Sequence, residues 1–252
     1  MRSIRLCLIV LAALSASLVM AGELEDVVAK HLEARGGLDK IEGVESARIS
    51  GKMIFPGGAM EAPLVMQWKQ PNKLRFEFTF QGMTGIQAYD GESGWAVMPF
   101  QGRTDPEPMT EDQLKQFDEQ ADFHGAFVNS EKKGYKLEYL GTEEVEGTEA
   151  HKIKVTNKNG EETLVFLDAE YFLEIKSESK RTIRGQELEI EASQGDYKEV
   201  DGLMMGHSFE SKPKGAEAGQ SIVFEKIELN VELDDSLFQM PEKKAETPAE
   251  TE

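Results

Sequence analysis

The side chains best suited to acid–base or metal chemistry are four histidines, His31, His124, His151 and His207. No two stand at metal-ligand spacing. The chain also has no His-Glu-x-x-His, no Gly-x-Ser-x-Gly and no glycine loop of the kind that cradles phosphate. A hydrolase can still be assembled from residues far apart in sequence, because catalytic groups converge in space; His207 and Ser208 are the residues on which that reading would be tested. Two acidic runs, Glu143-Glu144-Glu146 and Asp234-Asp235, carry calcium-type donors. Neither has the regular alternation of a calcium loop, so both read as solvated charge. The expectation is no catalytic residue, no metal and no cofactor.

The N-terminus narrows the chemistry further. Arg2 and Arg5 lead into an unbroken apolar run from Leu6 to Leu14, and Val19-Met20-Ala21 suits signal peptidase. Residues 1–21 therefore read as a secretory signal peptide, cleaved before Gly22. Ser15 and Ser17 interrupt the run before it reaches the roughly 18 apolar residues of a spanning helix. Cys7 stands at the start of that run without a lipobox, so no lipid anchor is expected. With the leader goes the only cysteine, and with it any disulfide, thiol nucleophile or thiolate ligand. Losing Arg2 and Arg5 takes 28 basic residues to 26 against 47 acidic ones, a formal net charge of −21. That surface repels nucleic acid and anionic membranes, leaves only transient contact with a membrane surface, and favours basic partners.

The elements that must position any site follow from periodicity. Leu24, Val27, Val28 and Leu32 fall on one helical stripe that Gly36-Gly37 ends. Beyond it the period changes from 3.6 to 2. Leu74, Phe76, Phe78 and Phe80 alternate with Lys73, Arg75, Glu77 and Thr79, which predicts an antiparallel strand with one apolar and one wet face. Leu64, Met66 and Trp68 repeat the pattern one strand earlier. Further strands are expected at 46–55, 84–90, 93–98, 135–145, 149–157, 161–168, 171–181, 186–197, 200–211 and 220–231. Asn159-Gly160 and Asp201-Gly202 read as two-residue hairpins, with Asp90-Gly91, Glu146-Gly147 and Gly185 at other corners. Thr110 caps a helix predicted over 110–131, with Leu114, Phe117 and Ala121 along one side. The tail 242–252 has no large apolar residue and is expected to be disordered. One domain over 22–241 is expected.

An apolar stripe is ordinary core in most proteins. A single sheet closed by one or two helices, however, leaves part of its hollow face uncovered, and Met and Phe there suit an adaptable cavity. Burying acyl carbon gains roughly 0.8 kcal/mol per methylene, so a sixteen-carbon chain offers on the order of 12 kcal/mol as an upper bound.

The stretch Trp68-Lys69-Gln70-Pro71-Asn72-Lys73-Leu74-Arg75-Phe76-Glu77-Phe78 resembles the strand–Pro-Asn–strand segment of the LolA/LolB-like lipoprotein-sorting proteins. Tyr89-Asp90-Gly91-Glu92-Ser93-Gly94-Trp95, followed by Met98-Pro99-Phe100, is similar to their Asp-Gly-x-x-x-Trp hairpin. The segments 196–204 and 227–241 resemble their late hairpin and last strand. The resemblance implies a mainly β fold: a single large antiparallel sheet of about 10–11 strands curved into an unclosed half-barrel, with an N-terminal helix and an inserted helix covering the concave face. It implies a monomeric periplasmic carrier of lipoprotein acyl chains or other lipid, working without catalysis between an inner-membrane transporter and an outer-membrane acceptor. The alternative is a lipid-sensing regulator or scaffold that docks a basic envelope protein. Cargo would lie on Met66, Trp68, Leu74, Phe76, Phe78, Phe80 and Trp95, under a lid carrying Leu114 and Phe117. The well-studied carriers have an arginine before the Pro-Asn pair that ties the lid down; here the residue is Gln70.

Overall fold

The computed structural model describes residues 22–183 and 186–241, so the leader expected at 1–21 and the tail expected at 242–252 lie outside the described residues. Helix α1 (22–34) and helix α2 (Leu38–Glu42) lead into strands β1 (Ser46–Ile54), β2 (Glu61–Lys69), β3 (Lys73–Phe80), β4 (Met83–Tyr89), β5 (Gly94–Met98) and β6 (Arg103–Pro108). Helices α3 (Glu111–Gln120) and α4 (Ser130–Lys133) follow, then β7 (Lys136–Val145), β8 (Thr148–Thr156), β9 (Glu162–Asp168), β10 (Glu174–Ile183) and β11 (Gln186–Gly195). The short hairpin β12 (Lys198–Val200) and β13 (Leu203–Met205), then β14 (Ser208–Pro213) and β15 (Gln220–Leu229), complete the chain.

Thirteen strands form one antiparallel sheet, ordered β6-β5-β4-β3-β2-β1-β15-β14-β11-β10-β9-β8-β7, which does not close on itself. This is the mainly β, unclosed architecture expected. Two departures from the expected strands stand out, of which the first adds a strand to the large sheet and the second sends β13 into a separate two-stranded sheet with β12. Residues 103–108 extend despite Pro106 and Pro108, and the segment expected as one strand over 200–211 breaks into β13 and β14 around Gly206. Proline is tolerated in β6 because that strand is an outer edge. The other edge, β7, is blunted by a bulge between Tyr139 and Thr142 and by exposed Glu138, Glu143 and Glu144.

Turn chemistry sets much of the register. Asp201-Gly202 and Glu146-Gly147 are two-residue turns with positive φ at both positions, the mirror-image turn that matches strand twist. Asn159-Gly160 instead belongs to a five-residue loop, because Asn157 Oδ1 accepts from the amides of Asn159 and Glu161 and opens the turn earlier. The helix expected over 110–131 also stops early. Its capping box forms as expected, Gln113 N to Thr110 Oγ1 and Thr110 N to Gln113 Oε1. It ends at Gln120, and left-handed Gly125 and Asn129 separate it from α4.

The described chain groups into two compact units. The first comprises residues up to Gly43, Phe55–Ala59 and His124–Ile222; the second comprises Val44–Ile54, Met60–Phe123 and Val223 onward.

In the first unit, α1 and Phe127 cover one face of β7–β9. Val27, Ile153, Val155, Val165 and Leu167 form a buried core there, lined by Leu24, Val28, Leu32 and Phe172. On the opposite face, Phe166 is 1% exposed. Lys152 and Lys176 lie over its ring at 5.3 and 5.8 Å, their stems shielding it while their ammonium groups pair with Glu143, Glu178 and Glu191.

In the second unit, β1–β6 carry α3 on one face and the C-terminal segment on the other. That segment is stapled by side chains: Ser46 Oγ donates to Val231 O, Lys69 Nζ to Leu233 O, Arg75 Nη1 to Leu237 O and Trp95 Nε1 to Phe238 O. Asp235 takes both Lys69 and Lys73 at 2.8 and 3.0 Å, which holds its carboxyl below the usual range.

Candidate functional site

Directly opposed residues of an antiparallel pair share a face, so register defines the surface. In the second unit Leu64 opposes Phe78, Met66 opposes Phe76 and Trp68 opposes Leu74. On the next strand Phe76 opposes Gln87, Phe78 opposes Gly85 and Phe80 opposes Met83. Met66, Trp68, Leu74, Phe76, Phe78 and Phe80 therefore stand on one face, the one α3 covers.

The helix covers only one end of it. Leu74, Tyr89, Met109, Phe117 and Ala121 make a closed core with Met66 and Leu114 packed against it. Trp68 and Leu74 are each 3% exposed, and Trp68 stacks on Phe123 with ring centroids 4.6 Å apart. Gly94 allows the approach, since a Cβ there would meet Met109 Sδ at 2.5 Å and Leu114 at 3.0 Å. Three side chains, from β2, β4 and the turn before β3, fasten the helix. Asn72 Nδ2 donates to Asp118 Oδ1 at 2.7 Å, Tyr89 Oη to the same oxygen at 3.2 Å, and Trp68 Nε1 to Ala121 O. Burial, with the Asp118 carboxylate beside it, pushes the Tyr89 phenol up to about 12. Gln70 plays no part in this fastening. Its amide donates to Val44 O at 3.0 Å and secures the entry to β1.

Past the helix the same face stays half-exposed. Phe76, Phe78 and Phe80 are each only partly buried, and Phe100 joins them from the 3-10 turn after β5. Ring centroids lie 5.8 Å apart for Phe76–Phe78, 5.1 Å for Phe78–Phe100 and 6.5 Å for Phe80–Phe100. Gly85 makes room, because a Cβ there would fall 2.8 Å from the Phe100 ring and 3.1 Å from that of Phe78. Across β2–β4 this face carries no ionisable side chain except the Tyr89 phenol. Such a surface takes apolar chains through dispersion and water release, with no directional demand on them. Phe100 was not legible as part of it, because a residue in a turn has no strand alternation to assign it.

Trp95 is the correction. It opposes Ala88, which opposes Arg75, so it stands on the other face. There it is 3% exposed, its ring lies 5.6 Å from the Arg75 guanidinium, and Phe238 closes over it. It is core beneath the C-terminal segment.

Among the described residues the remaining candidates lie in separate surroundings. His207 is buried with Nδ1 against Met205 O at 2.9 Å, and no hydrogen bond joins it to exposed Ser208 among the described residues. His31 is buried on Phe127 and shares a 2.7 Å hydrogen bond with Phe172 O; burial, with Arg35 adding, lowers it to about 4 despite that bond. His151 stacks on the Phe172 ring and bonds Tyr139. Glu143 pairs with Lys152, Asp234 caps a 3-10 turn and Asp235 pairs with Lys69 and Lys73.

No protein-family profile and no curated protein matches the chain. Solved structures do. A LolA superfamily protein from Nitrosomonas europaea aligns with a TM-score of 0.57 at 14% identity, over 86% of this chain and 97% of its own. A protein described as an outer membrane lipoprotein-sorting protein domain, from Vibrio parahaemolyticus, aligns with the same score and coverage at 12% identity. A DUF1329 family protein from Desulfovibrio piger reaches 0.59 at 11% identity, over 86% and 97%. The chain has a LolA-like fold.

Proposed function

We propose that this protein binds acyl chains in the bacterial periplasm, without catalysis, and carries lipid or lipoprotein from an inner-membrane transporter to an outer-membrane acceptor. One observation carries the reading: the aromatic surface of Phe76, Phe78, Phe80 and Phe100 lies on the helix-covered side of the sheet yet is only partly buried. Phenyl rings left partly open beside a fully buried core have unspent burial, worth about 25 cal/mol per Å² of apolar surface removed from water. The LolA-like fold is consistent with such a role. In this reading Met66, Phe76, Phe78 and Phe80 contact cargo, while Trp68, Leu74, Leu114 and Phe117 fix the lid.

The test is native mass spectrometry of protein purified from a periplasm, with solvent extraction of any added mass and titration of a fluorescent fatty-acid probe. A co-purifying phospholipid or acylated peptide supports the proposal. An apo protein that ignores the probe makes the aromatic face ordinary core and returns the question to a scaffold that docks a basic partner.

A further inference from the structure

The aromatic surface of the second unit has one polar group set into it. Among the described residues, the polar side chains on the helix-covered face of β1–β5 are Trp68, Tyr89 and Gln87. Trp68 Nε1 donates to Ala121 O, and Tyr89 Oη lies on Gly91 O at 2.9 Å and on Asp118 Oδ1. Gln87 is different. No group among the described residues bonds its amide, and the partly buried side chain keeps both amide atoms in reach of water. Its place in the register is a boundary. Gln87 opposes Phe76 on β3 and Ala96 on β5. Two residues one way along β4 is Gly85, over which the Phe100 ring lies; two residues the other way is Tyr89, part of the closed core under α3.

Charge is excluded from the same ground. No lysine, arginine, aspartate or glutamate among the described residues stands on this face from β1 to β5. The first charges are Arg103 and Glu107 on edge strand β6, opposite Met98 and Ala96, and they pair with each other at 3.6 Å. A free carboxylate drawn down to the rings would lose its hydration and meet no cation. A plain hydrocarbon laid over Gln87 would cut the amide off from water and leave its hydrogen bonds unmade. A neutral acyl carbonyl avoids both penalties. Gln87 Nε2 can donate to it, and Gln87 Oε1 can accept from the N–H of an amide-linked chain.

We propose that Gln87 is a specificity-determining residue of the aromatic surface, and that this surface takes acyl chains in neutral ester or amide linkage in preference to free fatty acids. The inference rests on the acyl-binding reading above and adds the place where the cargo's carbonyl stops. The hydrocarbon lies over Phe76, Phe78 and Phe100, and the carbonyl meets Gln87 where the closed core begins.

The experiment measures displacement of a fluorescent fatty-acid probe by methyl dodecanoate, N-methyldodecanamide, tridecane and dodecanoate, each below its aggregation concentration. Wild type, Gln87→Met and Gln87→Glu are compared, with the probe's own Kd measured for each. A ligand's solubility is common to the three proteins, so the changes between proteins isolate the contact. Gln87→Met keeps the length of the side chain and removes both polar atoms. It should weaken the ester and the amide roughly tenfold, the worth of one hydrogen bond, and leave tridecane and dodecanoate no weaker. Gln87→Glu can accept but not donate, so it should lose the ester and keep more of the amide. An equal change for all four ligands in Gln87→Met, or a loss for dodecanoate as large as for the ester, overturns this inference and leaves acyl binding standing. Failure of the probe itself to bind overturns both.

Discussion

The two compact units are built alike and lined differently. Each sets a helix on one face of its strands and leaves part of that face uncovered. In the second unit the uncovered part is aromatic, from Phe76 to Phe80 with Phe100; in the first it is mixed, a row of Ser177, Ala192 and Ser211 lying between Ile190 with Pro213 on one side and Gln194 with Phe209 on the other. The fastenings differ too. Helix α3 is tied by hydrogen bonds from Asn72, Tyr89 and Trp68, whereas α1 lies on aliphatic core and is tied through His31. The same architecture therefore yields an aromatic surface under a polar tie, and a mixed surface beside an aliphatic one.

The comparison breaks most visibly if the aromatic surface is charged. The double variant Phe76→Asp/Phe78→Asp should fold, since both rings keep accessible surface outside the closed core, yet weaken probe binding about a hundredfold, the loss of about four buried methylenes. Unchanged affinity in a folded variant would remove the surface from function. Next in size is Trp68→Ala, which strips the core under α3 and its hydrogen bond; urea unfolding should show a loss of about 3–5 kcal/mol.

The first unit is sharpened by pH. His31 has a lowered pKa, so its unfolded form takes the proton first, and stability falls as pH drops from about 6.5 to about 4. Glu174 has a raised pKa, so its folded form keeps the proton, and stability falls as pH rises from about 4.5 to about 7. The slopes oppose. Between pH 4.5 and 6.5, Glu174→Gln should show a urea midpoint that rises with pH, and His31→Gln one that falls. Matching slopes in the two variants would show that neither group titrates as its surroundings dictate. The smallest effect is expected from Asn72→Ala, about 1 kcal/mol, with faster amide exchange confined to 111–120.

Much of this was readable in the sequence, for local reasons. Alternation at 73–80 gave the strand and its apolar face, Thr110 and Gln113 gave the start of α3, and Asp201-Gly202 gave its turn. What escaped depends on phase carried across a break. The loop 90–93 hides which face Trp95 takes, and the bulge after Glu174 reverses a side chain that alternation places outside. Asn72 fastens a helix residue 46 positions away, a distance at which no spacing rule operates. The family resemblance directed attention to residue 70, when the fastening is made two residues later.

The sheet's two edges also constrain how other proteins can engage it. Pro106 and Pro108 take two amide donors out of β6, and β7 presents a bulge and glutamates. A partner strand adding to either end would meet missing donors or like-charge repulsion wherever it is acidic. Recognition must then be written in side chains, and a crowded compartment can hold many copies of this open sheet without one templating the next.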